Sequence, residues 1–118
     1  MMGSSGIIIV EDEPLITLMV EQMVEDLGLR VDGSAVSEDE ALQLLDLTSP
    51  AAAVLDVKLA NGTSLGVAAA CNDRGIPIIF TTGLPPEEFD QFSDGHPVLN
   101  KPFSFDDFQA ALRRLLGN

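Results

Sequence analysis

At 118 residues, 46% of them hydrophobic, the chain is sized for one compact domain around a single core, so residues 1–118 are assigned to one domain. Nineteen Asp and Glu against six Lys and Arg leave a net charge of −13, a field that repels phosphate backbones and anionic lipid and argues against nucleic-acid and membrane partners. The lone Cys71 allows no intramolecular disulfide, no apolar run reaches membrane-spanning length, and the start of the chain lacks a signal-peptide pattern, so a reducing, cytoplasmic setting is expected.

Residues 1–5 are assigned no structure and expected to be disordered. Ile7 to Val10 is a short apolar run, rich in β-branched residues, that suits a strand covered on both faces and stops at Glu11-Asp12-Glu13-Pro14. From Pro14 a helix is predicted, with Ile16, Val20, Met23 and Leu27 on one stripe and Gly28 as its stop. Arg30 to Ala35 reads as an edge strand. Ser37 and Glu40 have capping-box spacing for a second helix carrying Ala41, Leu44, Leu45 and Thr48, which ends before Pro50.

Ala51 to Leu55 is a third strand ending at Asp56, and a loop with Asn61-Gly62 leads into a helix from Ser64 to Arg74, closed by Gly75. Ile76 to Phe80 is the fourth strand and runs into Thr81-Thr82-Gly83. After Pro85-Pro86 only Glu87 to Phe92 can be helical, so the fourth helix is expected to be short or irregular. Val98 to Asn100 is the last strand, and Ser104 caps a last helix with Phe105, Phe108, Leu112 and Leu115 on one stripe.

Strands alternating with helices predict an α/β fold: a five-stranded parallel sheet, doubly wound, order 2-1-3-4-5. In such folds a site forms beyond the carboxyl ends of the strands, near the switch point between strands one and three. Glu11 and Asp12 follow strand one, Asp56 ends strand three, Thr82 follows strand four and Lys101 follows strand five. Three converging carboxylates raise one another's pKa unless a cation joins them. An all-oxygen donor set favours Mg²⁺ over zinc. Asp56 then fits a nucleophile toward phosphorus, Asp12 a metal ligand, Thr82 a hydroxyl for a phosphoryl oxygen, and Lys101 a point charge for Asp56 or for that group.

Val10-Glu11-Asp12-Glu13-Pro14, Val54 to Leu59 with Asn61-Gly62, Phe80-Thr81-Thr82-Gly83, and Leu99 to Phe103 together resemble the bacterial response-regulator receiver domain, a CheY-like, flavodoxin-like module. The resemblance covers nearly the whole length. It implies that Asp56 accepts a phosphoryl group from a phosphohistidine, that Asp12 touches Mg²⁺ directly and Glu11 through water, and that the Lys58 backbone carbonyl completes the metal site. The Lys58 side chain is then free to tune hydrolysis of the aspartyl phosphate. Lys101-Pro102 resembles the family's cis peptide, which aims the lysine inward. A histidine kinase or histidine phosphotransfer protein would be the donor, and an unidentified downstream protein the target.

Val98 stands where typical receivers carry an aromatic residue, and Phe80-Thr81-Thr82-Gly83 is similar to the atypical "FAT GUY" receivers of alphaproteobacteria, some of which are single-domain regulators tied to the general stress response. Because the last helix ends near the end of the chain, no output domain is expected; the resemblance implies a stand-alone, monomeric signalling module and not a turnover enzyme. Two other classes compete. A pseudo-receiver would signal by binding alone, and a phosphohydrolase with an aspartyl nucleophile would want a second Asp where Lys58 stands. His96 is expected to be a solvated turn residue, Cys71, Met19 and Met23 to be core, and Phe103, Phe105 and Phe108 to pack the last helix.

Overall fold

Every residue of Gly6–Val10 is buried, as expected for consecutive β-branched side chains in a strand covered on both sides. In the computed structural model, which describes residues 6–85 and 95–117, this segment is β1. There follow α1 (Pro14–Asp26), β2 (Arg30–Ala35), α2 (Glu38–Leu47) and β3 (Ala52–Asp56). A hairpin of two short strands, β4 (Lys58–Leu59) and β5 (Gly62–Thr63), precedes α3 (Leu65–Asp73), β6 (Ile78–Thr82), β7 (Val98–Asn100) and α4 (Phe105–Leu116). The order β2-β1-β3-β6-β7, parallel throughout, is the expected 2-1-3-4-5 sheet once the hairpin is set aside. The expectations for residues 1–5 and for a short helix over Glu87 to Phe92 fall outside the described residues.

Alternation along the three central strands divides the core in two, because successive side chains of a strand point to opposite faces. On one face Ile8, Val10, Ala53, Leu55, Ile78 and Phe80 pack against α2 and α3 through Ala41, Leu45, Val67 and Cys71. On the other, Ile7, Ile9, Val54 and Ile79 meet Val20, Met23 and Val24 of α1 and Phe108 and Leu112 of α4. Phe103 stacks on Phe108 at 6.1 Å between ring centroids. The three phenylalanines near the last helix are packing residues, as expected.

The helix ends follow their sequence signals. Ser37 Oγ accepts the Glu40 N–H at 3.2 Å, but Glu40 Oε1 accepts from the N–H of Val36, not of Ser37, so the box closes one residue early. Ser104 Oγ accepts the Asp107 N–H at 3.0 Å, and Gly117 takes the left-handed conformation, φ 79°, in which its N–H reaches Arg113 and Arg114 carbonyls. Gly28, also at φ 79°, stops α1. Thr48 is the residue that caps α2 and is not part of its apolar stripe.

The fourth predicted strand is displaced by two residues. Pro77 lies before the ladder, and β6 continues through Thr81 and Thr82. Their β-branched side chains suit a strand as well as isoleucine does. His96 is only partly solvated: half-buried, it lies edge-on to Phe80 at 6.0 Å and its Nε2 is 3.0 Å from Asn72 Oδ1.

Candidate functional site

β1 and β3 are neighbours whose continuations leave the sheet in opposite directions, β1 toward β2 and β3 toward β6. That divergence opens a crevice at their carboxyl ends. Glu11 follows β1 and Asp56 is the last residue of β3; both are buried, at 3% and 6% exposure. Asp12 is half-buried. One carboxylate oxygen from each of Glu11, Asp12 and Asp56 lies within 4.8 Å of the others.

Lys101, which follows β7, closes the group. Its Nζ donates to Glu11 Oε1 at 2.8 Å and to Asp56 Oδ2 at 3.0 Å. Glu11 Oε2 accepts the N–H of Glu13 at 3.1 Å, so both of its oxygens are held. Burial pushes the Glu11 carboxyl above its ordinary value; the bond from Lys101 opposes this, and the Asp56 charge adds to it. Burial would lower the Lys101 ammonium, but its bonds to Glu11 and Asp56 outweigh that and hold it above its ordinary value. The Lys101–Pro102 bond is cis, as the resemblance implied.

Thr82, 1% exposed, ends β6. Its Oγ1 accepts the N–H of Leu84 at 3.0 Å. Lys58, Asp12, Asp56, Thr82, Gly83 and Lys101 line an open cleft of about 480 Å³. A Cβ added at Gly83 would meet no atom within 4 Å, so no protein neighbour demands glycine there and the room is cleft space. Lys58 is exposed on β4 and paired through its backbone with Thr63.

Every residue singled out in the sequence therefore reaches one rim: Glu11, Asp12, Asp56 and Lys101 by direct proximity, Thr82 and Lys58 as walls of the same cleft. Leu84 and Asn100 were not assigned to the site from the sequence. Leu84 forms part of the wall, and Asn100 Nδ2 donates to the Leu84 carbonyl at 3.1 Å. Their only signal was position, just after Thr82 and just before Lys101 at two adjacent strand ends.

Three carboxylates against one ammonium leave a local excess of two negative charges when all are ionised. The donor set is entirely oxygen, which matches a hard divalent cation. Glu11, Asp12 and Asp56 are close enough to share one such ion. Among the described residues no helix is long and apolar enough to cross a membrane.

No protein-family model matches the chain. The solution structure of SdrG from Sphingomonas melonis Fr1 superposes with a TM-score of 0.85 at 39% identity, covering 98% of this chain and 99% of that one. The BeF3-activated conformation of SdrG from Pseudomonas melonis Fr1 superposes with a TM-score of 0.84, also at 39% identity, covering 98% of this chain and 99% of that one. The phyllosphere-induced regulator PhyR of Methylorubrum extorquens is 35% identical over 120 residues, which cover 96% of this chain and 44% of PhyR. The chain spans about half the length of the curated relatives it matches. Likeness to SdrG over nearly the full length of both chains, with the acidic triad in place, shows that this protein belongs to the response-regulator receiver domains.

Proposed function

We propose that Asp56 is a phosphoryl acceptor in a two-component phosphorelay, with residues 1–118 acting as one receiver unit. The observation that carries this reading is the contact of Asp56 with Lys101 beside Glu11 and Asp12, at the edge of an open cleft. An Asp56 carboxylate oxygen attacks the phosphorus of a phosphohistidine. The P–N bond breaks, its electron pair leaves on the histidine nitrogen, and an aspartyl phosphate forms. Hydrolysis later returns the carboxylate and releases inorganic phosphate.

Glu11, Asp12, Asp56 and the Lys58 backbone carbonyl are the groups that would hold Mg²⁺, Glu11 through water. When bound, that ion supplies charge neutralisation for the phosphoryl oxygens. Lys101 turns from Asp56 toward a phosphoryl oxygen, and the Thr82 hydroxyl donates to another. The donor is a histidine kinase or a histidine phosphotransfer protein, and the signal leaves by contact with another protein. SdrG has a BeF3-activated conformation and PhyR is a stress response regulator, which supports a stress-signalling setting for this chain as well.

Intact mass after incubation with phosphoramidate and Mg²⁺, with an EDTA control and Asp56→Asn, tests the reading. We expect a single phosphoryl adduct in the wild type and none in the control or the variant. An adduct retained by Asp56→Asn would move the acceptor elsewhere. Absence of any adduct in the wild type would leave a module that signals by binding alone.

A further inference from the structure

Both backbone polar groups of Leu84 are held, from two different strand ends. Its N–H donates to Thr82 Oγ1 at 3.0 Å, and its carbonyl accepts from Asn100 Nδ2 at 3.1 Å. A carbonyl oxygen only accepts, so the NH₂ side of the Asn100 carboxamide is the side that must face it. Thr82 and Asn100 are also register partners in the parallel β6–β7 pair, and the Lys101 N–H donates to the Thr82 carbonyl at 2.8 Å. Asn100 and Lys101 thus bracket Thr82: the one through Leu84, the other directly.

The consequence lies in the direction of the Thr82 hydroxyl. A hydroxyl has one proton to donate and two lone pairs with which to accept. With Leu84 N–H on one lone pair, the O–H proton cannot point at that donor and is left to point elsewhere. Thr82 and Leu84 both line the cleft that holds Asp56. If Leu84 is released, the hydroxyl rotor loses the contact that fixes it. Donors placed in advance are the ones that stabilise charge without reorganisation at the moment of reaction.

We propose that Asn100 is a positioning residue for phosphoryl acceptance: by anchoring the Leu84 carbonyl it keeps Leu84 N–H on Thr82 Oγ1, so that the Thr82 hydroxyl stands as a donor toward an anion on Asp56. The inference rests on Asp56 as the acceptor and adds a residue that never touches the phosphoryl group. Asn100 is exposed, so replacing it leaves the packed core intact.

The test is beryllofluoride affinity in the presence of Mg²⁺, measured by ¹⁹F NMR for wild type, Asn100→Ala, Thr82→Ala and the double variant, with Mg²⁺ affinity and the exchange protection of the Leu84 amide read in parallel. Asn100→Ala is expected to weaken retention about fivefold, the scale of one ordinary hydrogen bond, and to deprotect Leu84 without beryllofluoride present. Thr82→Ala is expected to lose at least as much, and adding Asn100→Ala to it nothing further, because both act through one hydroxyl. Mg²⁺ affinity should stay within about twofold, since neither side chain is placed as a metal ligand. Undiminished retention in Asn100→Ala overturns the proposal, and so does an equal further loss in the Thr82→Ala background, which would mark a merely structural role. A wild type that retains no beryllofluoride and takes no phosphoryl group overturns instead the reading of Asp56 on which the proposal stands.

Discussion

Ile8 and Glu11 lie three residues apart on the same stretch of chain and are almost equally buried, at 0% and 3% exposure. Burial has opposite meanings for them. For Ile8 it removes apolar surface from water, worth about 1.5–3 kcal/mol for a full side chain. For Glu11 it strips solvent from a charge, and the raised pKa records the cost. The core on the two faces of the sheet is apolar throughout, whereas the rim at its carboxyl ends gathers three carboxylates around the single ammonium of Lys101.

Breaking the core should have the largest effect. Phe108 is fully buried against Phe103, Val24 and Leu112, and Phe108→Ala should cost about 3–5 kcal/mol in urea unfolding. Asp56 should still accept phosphoryl groups in the molecules that remain folded. A variant that loses phosphorylation at unchanged stability would show that this part of the core and the rim are not separable as described.

Next in size is completion of the rim. Mg²⁺ should stabilise the chain by about 2.7 kcal/mol at a hundredfold excess over its dissociation constant. Asp12→Asn should fold normally without metal yet lose most of that increment. Thermal melts with and without Mg²⁺ decide it, and an equal increment in both proteins would take Asp12 out of the site.

A comparable effect separates the two regions by charge. Cys71 is buried in the core, and desolvation pushes its thiol from 9.0 to about 11, with Arg74 pulling weakly the other way. The core keeps its ionisable group neutral, while the rim pairs its charges. Because the folded value is the higher one, the contribution of the neutral thiol to stability is present below pH 9 and is lost as pH rises through about 11. Below pH 9 the same difference leaves about a hundredfold less thiolate than in the unfolded chain. Alkylation of folded protein at pH 8 should therefore be at least that much slower than in urea, and rapid labelling would mean that this face of the sheet opens.

Much of both regions was legible in the sequence for one reason: a parallel strand buried on both faces reads as an unbroken apolar run, and the first polar residue after it marks the rim. Ile7 to Val10 ending at Glu11, and Ala51 to Leu55 ending at Asp56, placed the acids before any coordinates did. The same rule misplaced β6, because Thr81 and Thr82 are polar by composition and strand residues by shape. The β4–β5 hairpin was illegible, since two residues per strand carry no period, and Asn61-Gly62 signals only a turn. The Asn100–Leu84 bond joins positions sixteen residues apart, so no local pattern encodes it.

The smallest predicted effect lies at the open side of the cleft, where Lys58 is exposed among otherwise fixed groups. Phosphoryl transfer passes through a loose transition state with charge spread over the phosphoryl oxygens. An ammonium paired with those oxygens holds the Lys58 side chain over the aspartyl phosphate, where its aliphatic stem narrows the approach of water. Exposed ion pairs of this kind contribute up to about 1 kcal/mol. Lys58→Ala should accordingly shorten the lifetime of the phosphorylated state by about two- to fivefold, with Lys58→Arg close to wild type. Decay of the adduct followed by mass spectrometry measures this directly. An unchanged lifetime would remove the Lys58 side chain from the mechanism.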